Sequence, residues 1–202
     1  MSELRLNDVL QFSQLLNTFT SVERVCYHPG KLLKENDVEH SYQLAMLAWY
    51  ISGRLSLDLD KDLILRYALI HDLVEVYAGD TYIYSKNEYD HTSKKEREES
   101  ARIRILEEFP LFIDLHATIL DYEKREDKES RFVYVLDKIH PVLQIYLDKG
   151  RMWEESEVTL PMLLEKKKDK IHLAPELLPL WNELEELLTK EEDTLFYKNK
   201  KI

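Results

Sequence analysis

The chain has 202 residues, 44% of them apolar and 10% aromatic, which is enough for one packed core in one domain. A net charge of -11 repels nucleic-acid backbones and argues against a polynucleotide partner, while a small phosphorylated ligand remains compatible with local cations or a metal. Only 4 glycines and 6 prolines are present, too few turn formers for a many-stranded fold.

Apolar residues recur at helical spacing along most of the chain. Val9, Leu10, Phe12, Leu15, Leu16 and Phe19 predict a helix over 6–20. Residues 21–37 are mixed, with Pro29-Gly30 as a turn and Asn36-Asp37 as the entry to the next helix. That helix spans 38–55, its inner face marked by Leu44, Leu47, Ala48, Ile51 and Leu55. Another covers 60–71, with Leu63, Ile64, Tyr67, Ala68 and Ile70 apolar, and Gly79-Asp80-Thr81 breaks the short segment after it.

The stretch 82–92 is polar, aromatic and irregular, and reads as a loop. A charged helix over 93–108 stops before Pro110. Two more helices follow, over 111–124 and 129–149, and an amphipathic tail helix runs from 174 to about 195 with acidic residues outward. No repeat, low-complexity linker or strand is legible. The expectation is an all-α single domain over 1–202 of six to eight helices, with a core at 5–150 and a C-terminal helical extension at 151–202.

The single cysteine, Cys26, cannot form an internal disulfide, which suits a reducing cytosol. The N-terminus lacks a signal-peptide apolar stretch, and no run approaches the ~20 apolar residues of a membrane span. A cytoplasmic protein is expected.

The doublet His71-Asp72 carries the first chemical signal. It follows the apolar run LILRYALI, where a His and a charged Asp are costly unless paired or liganded. Imidazole nitrogen and carboxylate oxygen are both good ligands for divalent cations. His40 opens a helix whose face (Leu44, Leu47, Ala48, Ile51) points inward, and Asp137 lies in RFVYVLDKIHPVLQIY beside Val133, Leu136 and His140. Two His and two Asp would hold a hard or borderline cation with positions left for water and substrate. Each alone has a plainer explanation: a first-turn residue for His40, a partner for Lys138 or Arg131 in the case of Asp137.

The segments VEHSYQLAMLAWYI, ALIHDLVEVYAGD and RFVYVLDKIHPVLQIY together resemble the three signature blocks of HD-domain phosphohydrolases. They are most similar to the branch of bacterial 5'-deoxynucleotidases (YfbR-like proteins), over residues from about 5 to 150. The resemblance implies a helical bundle and one divalent cation (Mn, Co, Mg, Fe, Ni or Zn) held by His40, His71, Asp72 and Asp137. It also implies a homodimer and cleavage of the 5'-phosphate from deoxynucleoside monophosphates.

By the same resemblance, Glu75 is the carboxylate that orients or deprotonates the attacking water; otherwise it would read as a first-turn acid. Asp80 resembles the group that accepts a hydrogen bond from the deoxyribose hydroxyl, with a helix cap or turn former as the plainer role. Arg24 matches the family's phosphate-binding arginine, although the Trp that commonly follows it is absent from RVCYHPGK, where Tyr27 or His28 stands instead. Lys86 is a second candidate for phosphate. His91 and His116 have no second His at ligand spacing, so a single metal is expected. His28 and His172 read as structural or exposed.

Other functions fit the same residues: hydrolysis of a nucleoside triphosphate, cyclic nucleotide or alarmone, or a non-catalytic metal-stabilised protein binding partners through its acidic C-terminal helix. The loop 82–92 lacks the Pro-containing stretch expected after Gly-Asp in nucleotidases, which bears on substrate choice.

Overall fold

The computed structural model describes residues 3–84 and 93–198. Helix α1 (Leu6–Phe19) leads into a hairpin of β1 (Glu23–Tyr27) and β2 (Lys34–Asn36), followed by α2 (Asp37–Arg54), α3 (Lys61–Ile70) and the short α4 (Glu75–Ala78). Then come α5 (Lys94–Glu108), α6 (Ile113–Lys124), α7 (Lys128–Leu147), α8 (Arg151–Glu155) and α9 (Leu160–Ile171). A 3-10 turn (Pro175–Leu177), α10 (Leu178–Lys190) and α11 (Glu192–Leu195) complete the chain. Among the described residues eight helices have ten residues or more, so the all-α reading holds.

Local chemistry sets the helix starts. Asn36 Oδ1 accepts from the Glu39 amide at 3.0 Å while the Glu39 carboxylate accepts from the Asn36 amide at 3.0 Å, a reciprocal cap that starts α2. Asp60 caps α3 through the Asp62 and Leu63 amides, and Asp127 caps α7 through the Ser130 amide at 2.6 Å.

The hairpin is a departure from the strandless reading. β1 and β2 pair antiparallel, with Glu23 opposite Asn36 and Tyr27 opposite Lys34 and an irregular register between. The alternation of a strand puts Arg24 and Cys26 on one face, and that face turns inward. Because β2 runs directly into α2, Glu35 and Asp37 arrive beside Arg24.

One apolar cluster joins α2, α3 and α7 to the C-terminal segment. It holds Leu44, Ile64, Phe132, Leu136 and Ile139 together with Trp153, Leu163, Leu177, Leu184 and Leu188. A second cluster packs α1, α5 and α6 around Leu73 and Val74. Residues beyond 150 therefore share a core with the helices that carry His40 and Asp137. Trp153 stacks on Phe196 with ring centres 4.3 Å apart, and the Tyr197 amide donates to the Val158 carbonyl at 3.1 Å. Gly150 sits at φ +75°, where a Cβ would collide with the Leu195 backbone carbonyl, so glycine is required at this close approach.

Candidate functional site

Each candidate ligand is delivered by a helical stripe whose other members are buried. On α2 the stripe is Asp37, His40, Ser41, Leu44, Ala45, Ala48 and Ser52. On α3 it is Ile64, Tyr67 and Ala68, and His71 follows at the helix end. On α7 it includes Val133, Leu136, Asp137 and His140. Pro141 lacks the N–H that would bond the Asp137 carbonyl, and its ring lines the cavity beside that residue.

The four groups converge. His40 Nε2 is 2.9 Å from Asp137 Oδ1, and His71 Nε2 is 2.9 Å from Asp72 Oδ2 and 3.5 Å from Asp137 Oδ1. One donor atom from each of His40, His71, Asp72 and Asp137 lies within 4.8 Å of the others. His71 Nδ1 donates to the Ala68 carbonyl at 2.9 Å, which leaves Nε2 facing the carboxylates. Burial disfavours a proton on this imidazole, but Asp72 and Asp137 outweigh it and push His71 up to about 10.

Behind His40 lies a polar network. The His140 ring stacks on His40 at 4.8 Å and 26°, with Nδ1 to Nδ1 at 3.1 Å, and Glu35 Oε2 is 3.4 Å from His40 Nδ1. Gln144 links His140 to Gln43, and Gln43 donates to Glu35 at 2.8 Å. Burial, then His40, pull His140 down to about 3, so it stands neutral and orients its neighbour.

A cavity of about 440 Å³ opens on this cluster, lined by Arg24, His71, Asp72, Glu75, Asp80 and Asp137 among others. Arg24 is paired with Asp37 at 2.9 Å and Asp72 at 2.8 Å, with Glu35 3.7 Å away. Glu75 is 3% exposed; its Oε2 is buried without a hydrogen-bond partner, and Lys94 Nζ lies 3.7 Å from Oε1. Burial, then Asp72 and Asp80, raise the Glu75 carboxyl well above its ordinary range. Asp80 is half-buried and also raised, by burial first. Arg97 on α5 fixes the segment carrying it, donating to the Ala78 carbonyl at 3.3 Å and to Thr81 Oγ1 at 2.7 Å.

The family model of the HD domain matches residues 20–178. The chain belongs to the HD domain family. This HD protein is 29% identical to the 5'-deoxynucleotidase HDDC2 of Bos taurus over 147 residues, 71% of this chain and 69% of that protein. It is 25% identical to the 5'-deoxynucleotidase HDDC2 of Dictyostelium discoideum over 179 residues, 83% of this chain and 92% of that protein. Among solved structures it is similar to a predicted metal-dependent phosphohydrolase from Magnetospirillum magnetotacticum MS-1. The TM-score is 0.80 at 25% identity, covering 95% of this chain and 96% of that one. The family match runs on to residue 178, into the C-terminal segment and beyond the 5–150 core read from the sequence.

The HD cluster fits a divalent cation on its own chemistry. The buried His71 Nε2 has no hydrogen-bond partner among the described residues and faces carboxylate oxygens. Two imidazoles and two carboxylates form a donor set for a hard or borderline ion. The same region contains residues that sequence reading passed over. Asp37 and Glu35 hold Arg24, Lys94 approaches Glu75, and Lys138 Nζ contacts Asp137 Oδ2 at 2.5 Å. Lys138 is the exception, since the sequence offers it as a partner for Asp137 and the contact forms; Lys94 sits in a run, KKERE, that looks like a solvated helix start.

The remaining candidates fall elsewhere. Lys86 and His91 lie outside the described residues. The His116 ring bonds the Phe109 carbonyl at 2.7 Å, a structural contact, and His28 faces Glu39 at 3.2 Å. Cys26 is buried beneath Arg24, and burial pushes its thiol up to about 12, which leaves it a small apolar group. Among the described residues no helix is long and apolar enough to cross a membrane.

Proposed function

We propose that this HD protein is a metal-dependent phosphohydrolase that removes the 5'-phosphate from deoxynucleoside 5'-monophosphates. The observation that carries this reading is the four-residue donor cluster, with the buried Glu75 carboxyl beside it, on one cavity. The 5'-deoxynucleotidase relatives support the substrate class.

A divalent cation held by His40, His71, Asp72 and Asp137 would supply Lewis acidity toward water and a phosphoryl oxygen. Glu75 takes the proton of the attacking water at its unpartnered Oε2. Arg24, fixed by Asp37 and Asp72, presents its positive charge to the phosphate oxygens as the bond to the sugar oxygen breaks. Asp80 accepts from the deoxyribose hydroxyl and crowds the 2' position.

Phosphate release from purified protein, screened over nucleoside monophosphates with added Mn, Co or Mg, tests the reading. The expected order is 5'- over 3'-monophosphates and deoxyribose over ribose, with little preference among bases. A polar site discriminates by leaving mismatched partners unpaired. Equal rates on deoxy- and ribonucleotides would remove the Asp80 role and leave the hydrolase reading standing. Release only from a triphosphate or cyclic ester would replace the monophosphate with that ester.

The assembly we propose is a homodimer. The Leu-rich tail is largely consumed within the fold, since Leu177, Leu184 and Leu188 are buried. The α1 stripe remains exposed at Leu6 and Leu10, as does Trp49 of α2 at 53%. Light scattering at micromolar concentration should return twice the chain mass of 24.2 kDa, and a monomeric mass would count against it.

A further inference from the structure

Helix α9 carries an irregularity in its buried stripe. The stripe is Leu160, Leu163, Lys167 and Ile171: three aliphatic residues and one lysine at the same helical spacing. Lys167 is 5% exposed, and among the described residues it has no hydrogen-bond or ion-pair partner. Its ammonium reaches the cavity, and a cation held in such a partly desolvated space without a counter-charge is costly, so it calls for a partner.

The surroundings leave that partner unsupplied by the chain. Lys167 lines the same cavity as the HD cluster, together with Lys138 and the half-buried Lys170. Burial, then Lys138, pull its ammonium down to about 7; Asp137 opposes them. Asp137 is already engaged by Lys138 at 2.5 Å and His40 at 2.9 Å. Arg24 and Lys94, two further cavity-lining cations, face Asp37, Asp72, Glu75 and Glu98. In a chain of net charge -11, Lys167 and Lys170 thus line the cavity as two cations that form no ion pair among the described residues.

We infer that Lys167, with Lys170 beside it, forms a phosphate-binding wall that holds the non-bridging oxygens of the substrate's phosphate turned away from the HD cluster. The inference rests on the phosphomonoesterase reading for its substrate and stands on the cavity geometry for its anion. Seating a phosphate dianion gives the buried ammonium its counter-charge in a partly desolvated site, where a charge-assisted hydrogen bond is strong.

Calorimetry with inorganic phosphate on the metal-loaded protein, wild type against Lys167→Met, tests this directly. Methionine keeps the length and packing of the side chain and removes its charge. The phosphate Kd and the KM for a deoxynucleoside 5'-monophosphate should each rise at least tenfold, with metal per chain unchanged. The phosphate-free variant should melt at or above the wild-type temperature, because a buried unpaired charge has gone; Lys167→Arg should recover part of the affinity. Phosphate affinity and KM within twofold of wild type would overturn the proposal. Should Lys167→Met fail to fold, Lys170→Met probes the same wall from a less buried position, with a severalfold loss of phosphate affinity expected and an unchanged affinity counting against the wall. If wild type cleaves no monophosphate yet its phosphate binding depends on Lys167, the substrate reading fails and the wall stands. If it cleaves monophosphates and binding ignores Lys167, the wall fails and the substrate reading stands.

Discussion

Replacing Glu75 by Gln should lower kcat by about 10²–10⁴-fold, the range for losing a positioned general base, while metal content and melting temperature stay near wild type. The substitution keeps the shape of a side chain that is buried beside, and outside, the four-donor cluster. Its Oε2 has no hydrogen-bond partner to lose, and Lys94 at 3.7 Å is the nearest cation to its Oε1 in an ion pair. Loss of a repulsive neighbour for Asp72 and Asp80 should not destabilise the fold. Rate assays paired with metal analysis read both halves. Full turnover in the Glu75→Gln variant would defeat the role; loss of its metal would make Glu75 a structural support for the cluster.

Asp137→Ala should have the larger combined effect, abolishing both cation binding and turnover. Asp137 touches three groups at once: His40 at 2.9 Å, His71 at 3.5 Å and Lys138 at 2.5 Å. Removing one partner from a buried ion pair leaves the other uncompensated, at about 3 kcal/mol. For a chain of this size that is a fall of about 6–12 °C in Tm. Elemental analysis and thermal unfolding measure the two effects separately. Wild-type metal stoichiometry in the variant would remove Asp137 from the ligand set.

Much of the helical frame was legible because its signals are local. The Asn36–Glu39 cap, the Asp60 cap and the apolar stripes of α2, α3 and α7 each lie within a few residues of chain. The His71-Asp72 doublet at the end of an apolar run was legible for the same reason. The hairpin was not: strands of five and three residues are too short to show a period, and ERVCY buries one side chain fully. Nor was the Glu35–Gln43–Gln144–His140 network, whose members come from β2, α2 and α7 and meet only on folding. The structure breaks the single tail helix into a 3-10 turn, α10 and α11, with Pro175 and Pro179 at the starts of the first two. Lys167 did leave a trace, since it occupies the inward position of the α9 stripe, but the surrounding EKKKDK run disguises it as a solvated face.

The cavity draws its two sides from different stretches of chain. The donor cluster comes from α2, the end of α3 and α7, whereas Leu163, Lys167 and Lys170 of α9, which packs against α7, complete the lining. Substitutions at these α9 positions thus alter the size and charge of the space without removing a donor atom. Such a division lets selection retune what the cavity accepts in small steps, with the reacting end inherited intact.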